Sequence, residues 1–267
     1  MPAARSSTGL GSTHLSSTQP LPETTASDYV NNGLSPVILA VATAPERQII
    51  ERSNITAHGV TLLQTGIGPA QILSIPRDIW TNRPAGLISI GTAGGLSGEL
   101  APGQLLLPLQ VGAEDGQVFS ISSAWHARVC QRLDKHNIET GMLTSVSNAV
   151  CLPRDKQLLQ AKTGAVAVDM ESAALARIAH HNSIPFLVVR AVADPHDQQI
   201  PSSAMTALTV RGDTRIAGLL SQLLLHPREI SGMLRLRSNF HAAGRSLDAC
   251  CREAGEEISC PDIQPLL

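Results

Sequence analysis

Two acidic segments carry the residues best suited to chemistry. One is Val168-Asp169-Met170-Glu171-Ser172, and the other is Ala193-Asp194-Pro195. Glu171 and Asp194 lie 23 residues apart. Each segment ends an apolar run that reads as a buried strand, and one amphipathic helix reads between them. That pattern predicts a strand–helix–strand unit delivering two carboxylates to one edge of a sheet. Paired carboxylates there suit acid-assisted chemistry on a small ligand.

The elements that must position these groups are legible in outline. Val37-Ile38-Leu39-Ala40-Val41-Ala42 is a continuous apolar run, as a strand buried on both faces would be. Ala44-Pro45-Glu46 then opens a helix, with Pro45 in the first turn, where its missing N–H costs little. Val60 to Gln64 leads to the turn Thr65-Gly66-Ile67-Gly68-Pro69. Gly86 to Ile90 is a third strand, read as ending at the glycine loop Gly91-Thr92-Ala93-Gly94-Gly95-Leu96. Leu105-Leu106-Leu107 and Gly164 to Val168 read as shorter strands. Pro185 to Val192 is the most strand-like segment of all. Strands alternating with helical stretches predict a mostly parallel sheet covered on both faces. Ligands of such sheets bind beyond the carboxyl ends of the strands, where most of these motifs fall.

The ends of the chain read differently. Residues 1–34 are rich in Ser, Thr, Pro and Gly and lack a hydrophobic period, so they read as a disordered tail. One domain is expected over 35–247 and a C-terminal tail over 248–267. Residues 214–225 and the stretch Ile230 to Leu247 read as helices. Together they are read as helix packed on the core. A basic amphipathic surface for a membrane or lipid is the alternative.

Bulk composition excludes several classes. The chain has 267 residues, 43% of them hydrophobic, which fits one large α/β domain with a full core. A net charge of −2 gives nucleic acid no basic surface. Aromatics at 2% leave no base-stacking platform. Cys130, Cys151, Cys250, Cys251 and Cys260 match neither a zinc site nor a disulfide framework. They read as reduced thiols of a cytoplasmic protein, and no metal is implied. No run of about 18 apolar residues offers a membrane span. No apolar region follows Arg5 as in a secretory signal. The glycines at 91–95 do not match the spaced dinucleotide fingerprint, which argues against an NAD-dependent oxidoreductase.

Taken in order, these motifs resemble the nucleoside phosphorylase/nucleosidase superfamily from about residue 36 to 201. Four segments carry the resemblance: Ala40 to Ile49 with Glu46, the Thr65 to Gly68 turn, the Gly91 to Leu96 loop, and Val168 to Glu171 followed by Val189 to Asp194. They look like the branch containing methylthioadenosine/S-adenosylhomocysteine nucleosidase. Ala193-Asp194-Pro195 departs from the Ser-Asp pair usual in the superfamily. With Ile200-Pro201 and the Leu/Arg-rich tail, that departure is similar to the hopanoid-associated phosphorylases, the adenosylhopane nucleosidases.

The resemblance implies a three-layer α/β/α phosphorylase/hydrolase-like fold and cleavage of a ribose N-glycosidic bond. It implies Asp194 as the general acid at purine N7 and Glu46 as the group that orients and deprotonates water. It implies Glu171 on the ribose hydroxyls and Met170 beneath the sugar. Thr92, Gly94 and Gly95 would line the ribose and nucleophile pocket, and Ala149 and Val150, next to Asn148, part of the adenine pocket. Each residue also has a structural alternative. Asp194 could cap a turn, Glu171 and Glu46 could be helix N-terminal acids, and Met170 could be core. No cofactor is implied, with phosphate as the alternative co-substrate. Ser89 stands where bacterial purine phosphorylases have Arg, and Glu46 would repel phosphate, so hydrolysis is favoured over phosphorolysis. Arg47 and Arg190 are the candidates against it. A small-molecule nucleoside, lipid-linked in the narrower reading, is the expected partner. A homo-oligomer and peripheral contact with an inner membrane are further expectations. The reading from another class is a nucleoside-binding protein without activity.

Overall fold

The computed structural model describes residues 36–201, 204 and 230–261. The proposed N-terminal tail and the 214–225 helix lie outside the described residues. Strand β1 (Val37–Val41) is flanked by β2 (Val60–Gln64) and β3 (Gly86–Gly95), both parallel to it. Strand β9 (Phe186–Asp194) lies along the other edge of β3, also parallel. All residues of β1 and β9 are buried. Side chains alternate between faces along a strand, so both faces of the sheet are covered there. That is the three-layer α/β/α arrangement.

The remaining strands extend the sheet. They are β4 (Leu105–Leu106), β5 (Gln110–Gly112), β6 (Val118–Ser120), β7 (Leu143–Ser145) and β8 (Ala167–Asp169). Among the described residues the main path runs β2-β1-β3-β8-β7-β5-β6, with β9 on β3 and β4 on β9. Three pairings, β3 with β8, β4 with β9 and β5 with β6, are antiparallel, and the other five are parallel.

Two expectations are corrected where the site is built. The segment Gly91 to Gly95 is not a loop: β3 continues through Gly95. It is held on both sides, by Asp194 of β9 and Val168 of β8, both opposite Gly94. The register shifts between Ala93 and Gly94, so a bulge redirects the strand end. Nor are the two acidic segments on adjacent parallel strands. β8 and β9 flank β3 and run in opposite directions, because β8 is antiparallel to β3 and β9 parallel. The carboxylates meet across β3 rather than along one edge.

Helices α1 (Ala44–Arg52), α2 (Pro69–Leu73), α3 (Asp78–Thr81), α4 (Ser123–Arg132), α5 (Pro153–Thr163) and α6 (Ser172–His181) fill the connections. α1 starts on a capping box, with Thr43 and Glu46 bonded reciprocally. The C-terminal part is α7 (Ile230–Glu253) and α8 (Gly255–Ser259). Its second half packs on the core, with Ala243, Gly244 and Leu247 buried. The helix does not stop at 247, so residues 248–261 are not a loose tail. Cys250, Cys251, Ala254 and Ile258 are buried, and Trp125 Nε1 donates to the Glu257 carbonyl at 2.8 Å. The buried side chains here are small, so the hydrophobic pattern is faint in the sequence. Cys250 and Cys251 are therefore core residues, and burial pushes the Cys251 thiol up to about 12.

Replacing Ile258 by Ala is expected to cost about 2–5 kcal/mol in a denaturant titration, as for a buried aliphatic side chain. A change under about 0.5 kcal/mol, typical of an exposed position, would return residues 248–261 to a tail.

Candidate active site

The site grows from the bulged end of β3. Glu46, in the first turn of α1, is buried and both its carboxylate oxygens accept hydrogen bonds. Oε2 accepts from Thr43 N at 3.0 Å and Thr43 Oγ1 at 2.9 Å. Oε1 accepts from Thr92 N at 2.7 Å and Thr92 Oγ1 at 2.8 Å. Glu46 is thus both a helix-capping acid and the group that ties α1 to β3. Gly91 is where these elements press together. A Cβ there would lie 2.7 Å from both Glu46 Oε1 and Arg190 Nη1, so a side chain has no room.

Arg190, in β9, is buried and anchors the floor. Its Nε and Nη2 donate to Asp169 Oδ2 at 2.9 and 2.6 Å. Nη2 also reaches Ser89 Oγ at 2.6 Å and Ser172 Oγ at 3.0 Å. Asp169 in turn accepts from Ser172 N at the start of α6, and from the Ser145 hydroxyl. Ser89 therefore points into this buried cluster. Arg47, the other candidate cation, pairs with Glu51 on the surface at 2.8 Å.

Glu171 follows β8 and is 7% exposed. Its Oε1 accepts from Gly68 N at 2.9 Å, in the turn between β2 and α2. Burial, then the charge of Asp169, pushes its pKa up to about 7, against the pull of Arg190 and the Gly68 N–H. Asp194, at the end of β9, is raised too. Burial is the main cause, opposed by a buried ammonium, Lys156 of α5, whose Nζ stands 2.6 Å from Oδ2.

One cavity of about 170 Å³ gathers most of the expected residues. Glu46, Thr92, Gly94, Ala149, Val150, Met170, Glu171 and Asp194 all line it. Gly95 does not. A Cβ there would stand in ordinary van der Waals contact with Val192, Leu100 and Pro195. Asn148 is exposed and outside the lining. Asp169 completes the polar part, and Ala42, Ile67, Val146, Val168 and Ile200 add apolar wall. Among the described residues the lining holds four carboxylates and no Lys or Arg. Such a wall favours a ligand that becomes positive as it reacts. Among the described residues no group of three His, Cys, Asp or Glu could hold a metal ion.

Lys156 escaped sequence reasoning. It sits among Arg154, Asp155 and Lys162 on a polar helix, where nothing distinguishes it from a surface lysine. The role of Asp169 as anchor for Arg190 was equally hidden, although both residues stand inside the recognised segments.

Comparison with known proteins agrees with this architecture. A family profile described as the Phosphorylase superfamily matches residues 41–225. The chain belongs to that superfamily. A 5'-methylthioadenosine/S-adenosylhomocysteine nucleosidase of Tolumonas auensis is 26% identical over 194 residues, covering 64% of this chain and 84% of the relative. The structure is similar to futalosine hydrolase of Helicobacter pylori, with a TM-score of 0.60 at 15% identity, covering 82% of this chain and 98% of the other. It is similar to a methylthioadenosine/S-adenosylhomocysteine nucleosidase of Colwellia psychrerythraea in complex with adenine. There the TM-score is 0.60 at 17% identity, covering 85% and 96% of the two chains. At these identities the two structures speak for the fold.

The raised Glu171 pKa has a stability consequence. Between 4.5 and about 7 the folded protein holds a proton that the unfolded chain has lost, so stability falls as pH rises through this window. The shift corresponds to about 3 kcal/mol against the folded state above pH 7. Glu171→Gln is therefore expected to raise Tm at pH 8 and leave it nearly unchanged at pH 5. Thermal melts at both values check this, and an equal change at both would contradict it.

Proposed function

We propose that the protein hydrolyses the N-glycosidic bond of an adenine nucleoside, with adenosylhopane as substrate and adenine and ribosylhopane as products. The observation that carries hydrolysis is the cavity lining of four carboxylates without a Lys or Arg among the described residues. A phosphate dianion is ordinarily held by arginines and backbone amides. Here Arg190 is spent on Asp169, Ser89 and Ser172, and Arg47 on Glu51. Water has no such requirement.

The residues supply each step. Asp194, a carboxyl whose pKa burial raises, donates its proton to N7 of the purine. The electron pair of the C1′–N9 bond passes to the base, which leaves neutral. C1′ becomes cationic, and Glu171, accepting from the ribose hydroxyls, stabilises that charge. Met170 gives an apolar surface beneath the sugar. Glu46 takes a proton from water, whose oxygen adds to C1′. Thr43 and Thr92 hold the Glu46 carboxylate in place for that step.

The adenine base and the lipid substituent rest on likeness. The matched nucleosidases act on adenine nucleosides by their names. Ala193-Asp194-Pro195, Ile200-Pro201 and the Leu/Arg-rich C-terminal sequence support the adenosylhopane reading. The apolar wall from Ala42, Ile67, Val146 and Ile200 is compatible with an apolar 5′ substituent. No helix among the described residues is long and apolar enough to cross a membrane, so lipid would be met at a surface.

Adenosylhopane incubated without phosphate is expected to yield adenine and free ribosylhopane, read by chromatography and mass analysis of the sugar product. A phosphorylated sugar formed only with phosphate would replace hydrolysis by phosphorolysis. Turnover of methylthioadenosine but not adenosylhopane would move the substrate to the soluble thioadenosines. In the same assay Glu46→Gln is expected to lower kcat by about 100-fold or more. A near-wild-type rate would remove Glu46 as the base.

A further inference from the structure

Lys156 stands outside every role assigned so far, yet its side chain has no exposure at all. Fully buried lysines are rare unless paired. Its Nζ is 2.6 Å from Asp194 Oδ2 and meets three main-chain carbonyls, of Asp194 at 3.3 Å, Pro195 at 2.8 Å and Gln198 at 3.2 Å. The ammonium therefore pins both the Asp194 carboxyl and the loop that follows β9. Asp194 Oδ1 accepts no hydrogen bond from any described residue, and the side chain keeps 12% exposure, on the cavity it lines.

We propose that Lys156 is a positioning residue for Asp194, holding Oδ2 so that Oδ1 presents the proton to the leaving base. This rests on the reading of Asp194 as general acid. In the acid form from which Asp194 would donate, its carboxyl is neutral and Oδ2 accepts from the ammonium as an uncharged group. As the proton passes from Oδ1 to the base, a carboxylate develops 2.6 Å from Nζ. The contact becomes an ion pair at that moment, with both partners charged. It is stronger in the transition state than in the ground state, which is the condition for speeding the chemical step rather than tightening binding.

The surroundings leave this role to Lys156. On β3 the residue against Asp194 is Gly94, which is uncharged. Among the described residues Cys151, ahead of α5, also feels the charge of Asp194, and its thiol is raised chiefly by burial. His196 turns its ring toward Gly98, 3.6 Å from where a Cβ would stand. Lys156 opposes the effect of burial on Asp194, so it sets the pH above which the acid is lost. Removing the ammonium moves that limit upward.

The test compares wild type, Lys156→Met and Lys156→Gln across pH on two substrates. One is the adenine nucleoside that the wild type cleaves. The other is 4-nitrophenyl β-D-ribofuranoside, whose phenolate leaves without a proton. Gln keeps a donor toward the carbonyls but no charge. Both variants are expected to lose about 100-fold in kcat for adenine release, with KM nearly unchanged. Nitrophenolate release should persist, and the alkaline limb of kcat for the nucleoside should move to higher pH. Equal loss on both substrates would make Lys156 purely structural and overturn the proposal. So would an alkaline limb at the wild-type position in both variants. A wild type that releases neither leaving group would instead overturn the nucleosidase reading on which the proposal stands.

Discussion

Arg190 is a buried guanidinium facing Asp169, with Glu171 and Glu46 close enough to act on it. Burial alone would oppose its charge, and the three carboxylates more than offset that, so its pKa is raised. The side chain spans the sheet. It stands on β9 and reaches Asp169 at the end of β8, Ser89 on β3 and Ser172 at the start of α6. Breaking a buried pair of this kind by removing one partner costs about 3–5 kcal/mol, because the survivor stays charged and unsolvated. The antiparallel placement of β8 beside β3 is what brings Asp169 within reach. Gly91 is obligatory for the same reason, since any side chain would strike the guanidinium and Glu46 together.

With Arg190 enclosed, the charge of the site divides into two layers. Cations stand behind, Arg190 under Asp169 and Lys156 behind Asp194. Carboxylates stand in front, around the cavity. The arrangement suits a reaction in which positive charge builds on the ligand, and it disfavours an anionic co-substrate. Each carboxylate also has a distinct setting. Glu46 is held by four hydrogen bonds from two threonines. Glu171 receives two from the main chain, from Gly68 and Met170, and is raised to about 7. Asp194 is raised by burial and restrained by one lysine. Groups of one chemical type thereby stand in three different electrostatic settings.

Much of this was legible because burial leaves a plain mark on sequence. The run Val37 to Val41 is apolar without interruption, Phe186 to Val192 is broken only by Arg190, and both are strands covered on each face. The acidic residues that end such runs stood out because carboxylates are rare beside a core. The glycine segment was visible, but its conformation was not. Gly91 to Gly95 reads as a loop because glycine is poor in strands. The structure makes it strand, paired with β8 and β9, and neighbours crowd the chain at Gly91 and Gly94. Residues 248–261 were misjudged for a related reason: Cys250, Cys251 and Ala254 are small, and burial of small residues leaves a faint pattern.

The sequence by itself determined the alternation of strands and helices, the mostly parallel sheet, and the identities of Glu46, Glu171 and Asp194 as the residues to watch. These follow from local patterns, which need no knowledge of distant neighbours. Tertiary structure decided how the acids are partnered. Lys156 lies 38 positions from Asp194, and Gly68 lies 103 from Glu171. It also decided that β8 runs against β3, that Arg190 is enclosed rather than offered to an anion, and that Gly95 stands outside the cavity lining. Hydrogen bonds and ion pairs between segments so far apart depend on the path of the sheet, and no periodicity along the chain encodes that path.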